Sequence, residues 1–268
     1  MIAWEMYAMT DVGVRRDHNE DDVAVFPEHG VAILADGMGG YNAGEVASAM
    51  AVSVIGEMIK TERSGIEAEQ INAQTGFTEA SMLVRQSVEA ANEAIYRTAR
   101  TEEACAGMGT TVLVTYLYGD RITAAHVGDS RMYRLRDKRL THVTEDHSLV
   151  HEQVRRGLLS ADDARNSRIK NLVTRALGVE PGVEPDLVED MVRAGDLYLM
   201  SSDGLTDVVS DEAIVHVLME QQSQLPKAAK LLIDMANKAG GPDNISVILI
   251  KVARAKSKGG LFSRLLRK

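Results

Sequence analysis

Four aspartates stand at glycine or proline junctions beside apolar runs. They are Asp36 in Ala35-Asp36-Gly37-Met38-Gly39-Gly40, Asp129 in Gly128-Asp129-Ser130, Asp203 in Ser202-Asp203-Gly204 and Asp243 in Pro242-Asp243-Asn244. The pair Glu20-Asp21 adds two more acids. A buried strand that delivers a carboxylate into a glycine turn puts that acid where backbone can approach a bound ion closely. Singly, each aspartate is an ordinary turn residue. Together they are either separate turns or one site where strand ends converge. Converging carboxylates repel one another strongly unless cations lie between them. Oxygen-only ligands favour Mg²⁺ or Mn²⁺ over zinc. A carboxylate bridging two such ions about 4 Å apart activates a shared water, and no nucleophilic side chain is then required.

The elements that must carry these acids follow from periodicity. Strands are expected at 1–10, 31–35, 110–118, 121–127, 131–136, 196–201 and 245–252. Gly119-Asp120 reads as the turn of a hairpin. Small apolar residues at helical spacing predict a helix over 42–61, and further helices are expected at 77–100, 211–221 and 226–239. Residues 13–22 read as a solvated charged loop. Residues 147–178 are locally basic, without a long apolar run, and read as short helices and loop lying over the main body.

Composition narrows the class. The 268 residues are 45% hydrophobic, enough for one large core, but only 4% aromatic, so aliphatic residues and methionine must fill it. The single cysteine, Cys105, excludes an internal disulfide and suits a reducing compartment. No membrane-span-length apolar run or signal-like start is present, so a cytoplasmic protein is expected. Net charge is −9, yet residues 251–268 hold seven basic residues and no acid, which leaves −16 on residues 1–250. Such an acidic body argues against a nucleic-acid partner. Cys105 has no arginine-closed phosphate loop after it, and the chain has no Gly-x-x-x-x-Gly-Lys-Ser/Thr loop.

The motif series is more specific than its parts. In order it runs Arg16-x-x-Asn19-Glu20-Asp21, Asp36-Gly37-Met38-Gly39-Gly40, His126-x-Gly128-Asp129-Ser130-Arg131, Asp146-His147-Ser148, Ser202-Asp203-Gly204 and Gly241-x-Asp243-Asn244. It resembles the metal-dependent protein phosphatases, the type 2C Ser/Thr (PPM) family, in their bacterial branch. The resemblance spans about residues 5–252. It implies an α+β fold in which two mostly antiparallel sheets form a sandwich with helices on both outer faces. Residues 1–254 would be the catalytic domain, with a flap at about 147–175, and 255–268 a basic tail.

The resemblance also implies roles. Asp36 would bridge two Mn²⁺ or Mg²⁺ ions, and the Gly37 carbonyl would bind one of them. Asp203 and Asp243 would bind the other. Glu20 and Asp21 would act at the edge, mostly through water, and Asp129 would hold a third, weaker ion. Arg16 would grip the substrate phosphate with a planar fork suited to two oxygens, with Arg15 as a neighbouring candidate. The implied reaction is direct attack on phosphoserine or phosphothreonine by a metal-bridging hydroxide, without a phosphoenzyme. Phosphorylated proteins would be substrates, a Ser/Thr kinase of the same cell the counterpart, and the chain a monomer. The alternative is a non-catalytic or single-target regulatory member of the fold.

Two features stand apart from the family pattern. Met38 and Tyr41 occupy places where family members often carry histidine, and a thioether cannot donate a proton to a leaving alkoxide. The general acid is therefore open among His18, His126 and metal-bound water. The tail carries Leu261, Phe262, Leu265 and Leu266 among basic residues. It suits either weak attachment to an anionic membrane or acidic partner, or a frayed solvated end.

Overall fold

The runs at 31–35 and 247–250 are continuously apolar because both faces of each sheet are covered. The computed structural model describes residues 2–39, 43–160, 163, 167, 169 and 172–254. Its strands are β1 (Ile2–Asp11), β2 (Asp21–Phe26), β3 (Val31–Met38), β4 (Gly109–Thr110), β5 (Val112–Tyr118), β6 (Arg121–Val127), β7 (Arg131–Arg136), β8 (Arg139–His142), β9 (Asp186–Met191), β10 (Leu197–Ser201) and β11 (Ile245–Arg254). The helices are α1 (Ala43–Glu62), α2 (Glu79–Thr101), α3 (Leu149–Arg155), α4 (Asp203–Thr206), α5 (Asp211–Gln221) and α6 (Leu225–Lys238).

One sheet has the order β1-β11-β10-β7-β8, the other β2-β3-β5-β6-β9 with β4 on β3. Every pairing is antiparallel. Strand alternation then sorts the side chains. Ala32 and Leu34 face the other sheet with Leu113, Ile248 and Ile250. Val31, Ile33 and Ala35 face α1 and α2 with Val114, Ala47 and Val88. Val247 and Leu249 pack on Leu218, Leu232 and Ile233 of α5 and α6. The result is helix, sheet, sheet, helix, the expected α+β sandwich.

Three strands depart from the expectation. The charged segment 13–22 ends in strand, since β2 begins at Asp21, and β8 and β9 had no counterpart in the pattern. All three are edge strands. One side of an edge strand meets no neighbour, so its residues are less uniformly apolar and its signal is weaker. Among the described residues no helix is long and apolar enough to cross a membrane. Gly40, Tyr41, parts of 161–171 and the tail 255–268 lie outside the described residues.

Candidate active site

The strand ends bring the acids together at one edge of the sandwich. Asp36 of β3 is the register partner of Asp21 of β2. Beside it the Gly37 N–H donates to the Glu20 carbonyl at 3.0 Å. A Cβ on Gly37 would lie 2.2 Å from the Gly44 carbonyl oxygen and 2.5 Å from that of Glu20, so only glycine lets α1 and the Glu20 backbone close on this turn. Asp203 opens α4 directly after β10, and Asp243 stands two residues before β11.

Neutral side chains tie these segments. Asn244 Oδ1 accepts from the Glu20 N–H at 2.8 Å, while its Nδ2 donates to the carbonyls of Val12 (2.9 Å) and His18 (3.0 Å). Ser202 Oγ donates to Asp21 Oδ2 at 2.9 Å. Thr110 Oγ1 and the Thr111 N–H both donate to the Asp36 carbonyl. Sequence reading quoted Asn244 and Ser202 as motif letters without giving them this tethering role.

Burial and mutual repulsion hold the acids toward their protonated forms. Asp36 is raised well above the usual carboxylate range by burial, then by Asp21, Asp203, Asp129 and Asp243. Asp203 is raised likewise by burial, then by Asp129, Asp207 and Asp243. Burial pushes Asp21 and Asp129 up to about 6. Five predicted aspartates therefore share one electrostatic neighbourhood, and Glu20, 8% exposed, adjoins it. Asp207, one helical turn after Asp203, joins the neighbourhood too; its i, i+4 spacing from Asp203 was the available signal.

Arg16 stands at the rim. Its Nη2 donates to Asp243 Oδ2 at 2.7 Å, and its Nη1 lies 3.9 Å from Glu20 Oε2. Arg15 contributes its backbone N–H to the Gly241 carbonyl. Of the histidines considered as proton donors, His18 lies at the rim with Nε2 3.6 Å from Glu20 Oε1. His126 is buried elsewhere, its Nε2 donating to the Glu145 carbonyl at 2.8 Å.

A second polar cluster, unforeseen in the sequence, fixes the base of the 147–175 segment. The Arg131 guanidinium grips both oxygens of Asp146. His147 brackets Gly128: its N–H donates to the Gly128 carbonyl and its Nδ1 accepts from the Gly128 N–H, both at 3.0 Å. His126, His147 and Asp186 could in principle share a cation. The Arg175 guanidinium, 2.9 Å from His147 Nε2 and 2.8 Å from Asp186 Oδ1, already supplies the positive charge there.

The acid cluster, by contrast, suits divalent cations. Asp21 Oδ1 is buried without a hydrogen-bond partner, an acceptor left for a positive ligand. The donors are hard oxygens, and divalent cations between them relieve the repulsion of the ionised carboxylates.

Comparison with known proteins points the same way. Residues 34–245 match the family described as Protein phosphatase 2C. The serine/threonine phosphatase Stp of Listeria welshimeri is 39% identical over 245 residues, covering 90% of this chain and 93% of Stp. The serine/threonine protein phosphatase PstP of Mycobacterium tuberculosis is 38% identical over 246 residues, covering 91% of this chain and 44% of PstP. A crystal structure of the PstP catalytic domain in complex with two manganese ions superposes with a TM-score of 0.81 at 35% identity, covering 94% of this chain and 100% of that one.

Proposed function

The chain belongs to the protein phosphatase 2C family, and we infer that it is a metal-dependent protein serine/threonine phosphatase acting on phosphoproteins. The observation that carries this reading is the gathering of Asp21, Asp36, Asp129, Asp203 and Asp243 into one mutually repelling cluster.

In this reading Asp36, the Gly37 carbonyl, Asp203 and Asp243 would hold two divalent ions, Mn²⁺ or Mg²⁺. Glu20 and Asp21 would act at the edge through water, and Asp129 would serve a third, weaker ion. When bound, such ions draw charge from the phosphoryl oxygens and lower the pKa of water enough for it to attack phosphorus.

The chain's own groups do the rest. Arg16 binds the phosphoryl oxygens; a phosphate monoester competes with Asp243 for its guanidinium, which reaches the rim from a half-exposed position. Asn244 and Ser202 hold the three acid-bearing segments in register, so little reorganisation accompanies binding. Met38 cannot protonate the leaving oxygen; of the protein groups considered, His18, with its Nε2 3.6 Å from Glu20 Oε1, would take that role, with metal-bound water as the alternative.

Residues 1–254 form the catalytic domain with 147–175 as its flap. The enzyme works as a cytoplasmic monomer that opposes a Ser/Thr kinase of its own cell. The bacterial serine/threonine phosphatases among its relatives support the phosphatase part of this reading.

The test is phosphate release from phosphoserine and phosphothreonine peptides and from p-nitrophenyl phosphate, titrated with Mn²⁺ and with chelator. Release that rises with Mn²⁺ and stops in chelator is expected. No metal-dependent release from any of the three would leave the non-catalytic alternative standing.

A further inference from the structure

Asp129 sits on a short segment with two separate holds. It lies close enough to Asp36 and Asp203 to repel both. The first hold is Thr111, whose Oγ1 accepts from the Asp36 N–H at 3.2 Å and bonds Ser130 Oγ at 2.9 Å. A Cβ on Gly128 would lie 2.5 Å from Thr111 Cβ, and Gly128 has a φ of +112°, so glycine lets the segment press this close. The second hold is His147, whose N–H and Nδ1 take up the Gly128 carbonyl and N–H.

The His147 ring is itself fixed from behind. With Nδ1 accepting, the neutral imidazole carries its proton on Nε2. That nitrogen lies 3.3 Å from Asp186 Oδ2, while Asp186 Oδ1 accepts from Arg175 Nη1 at 2.8 Å. Arg175 Nη2 also donates to the Glu184 carbonyl. The Thr174 N–H donates to the His147 carbonyl at 2.8 Å, and the Leu149 N–H to the Leu172 carbonyl at 3.0 Å. Residues 172–175, which return from the 147–175 segment to the body, therefore close on the side chain that grips Gly128, one position before Asp129.

We propose that His147 is a positioning residue for Asp129, and that Arg175 and Asp186 hold its ring in place. His147 fixes the backbone from which the Asp129 carboxylate is aimed into the acid cluster. The weaker ion assigned to Asp129 then depends on residues 172–175. The ions on Asp36, Asp203 and Asp243 do not, because Asn244, Ser202 and Thr111 tether those segments independently. This deepens the phosphatase reading and rests on its assignment of an ion to Asp129.

The test is calorimetric titration of Mn²⁺ into the metal-free full chain, with melting temperatures in chelator measured alongside. A weak binding step that disappears in Asp129→Asn identifies the Asp129 ion. His147→Ala leaves the Gly128 N–H without its acceptor and should weaken that step roughly tenfold, the low end of what losing a supporting group costs a metal site. The tighter steps should stay within about twofold. His147→Asn should recover most of the loss, because its amide oxygen can stand where Nδ1 stood and accept from Gly128. Arg175→Gln, which touches none of the acids of the cluster, should weaken the same step by a smaller factor. The Mn²⁺ concentration for half-maximal p-nitrophenyl phosphate hydrolysis should rise in His147→Ala, with kcat regained at saturating Mn²⁺.

A weak step lost in Asp129→Asn but equal in the unaltered protein, His147→Ala and Arg175→Gln would overturn the positioning role alone. So would a loss spread evenly over all steps, with no recovery in His147→Asn, which is the mark of a merely structural residue. If His147→Ala does not fold, an unchanged weak step in both His147→Asn and Arg175→Gln overturns the role. A protein with no weak step, or one whose weak step survives Asp129→Asn, would instead overturn the ion assigned to Asp129, and the positioning role with it.

Discussion

At Asp36, burial and four neighbouring aspartates all act against the charged form. A carboxylate kept there at neutral pH costs stability in the absence of cations and is the group best placed to bind them. Asp36→Asn should therefore have opposite effects on fold and activity. Turnover should drop by roughly 10³-fold or more, a loss like that of a central charge-stabilising group. The melting temperature in chelator should rise, and the stabilisation given by millimolar Mn²⁺ should largely vanish. Phosphate release and thermal melts with and without Mn²⁺ check all three. Arg16 makes a different case, because its ion pair with Asp243 lies at the half-exposed rim and contributes little to stability. Arg16→Ala should leave the melt nearly unchanged yet lower kcat/KM by roughly 10²-fold. Arg16→Lys should recover only part of it, since an ammonium lacks the planar fork; steady-state kinetics on a phosphothreonine peptide decide this.

The elements place these residues through close backbone approaches, and Gly204 shows how little slack they leave. A Cβ there would lie 1.9 Å from the Asn244 carbonyl oxygen, so α4 and the start of β11 touch at this glycine. Gly204→Ala keeps every acid but must push Asp203 away from Asp243. It should cost about 1–3 kcal/mol of stability, the usual price of overpacking, and raise the Mn²⁺ concentration needed for half-maximal activity. A denaturant melt alongside a metal titration tests it. The same elements show what the sequence reveals. β3, β5, β10 and β11 are central strands covered on both faces, and their largely apolar runs announce them. β2, β8 and β9 lie at edges; β2 is further disguised because it opens on Asp21-Asp22. Asp36, Asp129, Asp203 and Asp243 were visible because each stands at a glycine or proline beside an apolar run, whereas Glu20 and Asp21 were picked out only by the motif series. Asn244, Ser202, His147 and Arg175 were not legible as tethers, since a hydrogen bond between residues far apart in the chain leaves no local pattern.

For the whole molecule, two sets of buried groups oppose each other as pH changes. Asp21 and Asp129 are pushed up to about 6, and Asp36 and Asp203 are raised more strongly. Between the unfolded carboxylate value of 3.8 and their folded values, the native state binds more protons than the unfolded one, so these acids stabilise the fold as pH falls. Burial drags His142 and His147 down to about 4 and lowers His126 as well. Between about 4 and 6.5 the unfolded state binds more protons at these sites, so they destabilise the fold as pH falls. In chelator the two slopes oppose each other, so any loss of stability between pH 7 and 5 should be smaller than with Mn²⁺ bound. With Mn²⁺ the acids are already neutralised at pH 7, which removes their gain on acidification, while protons also compete for the ligands. Stability should then fall steadily over the same range. Melting temperatures across pH 7 to 5, with Mn²⁺ and with chelator, should converge toward the acid end. Parallel curves would mean that the cations do not bind at the carboxylate cluster.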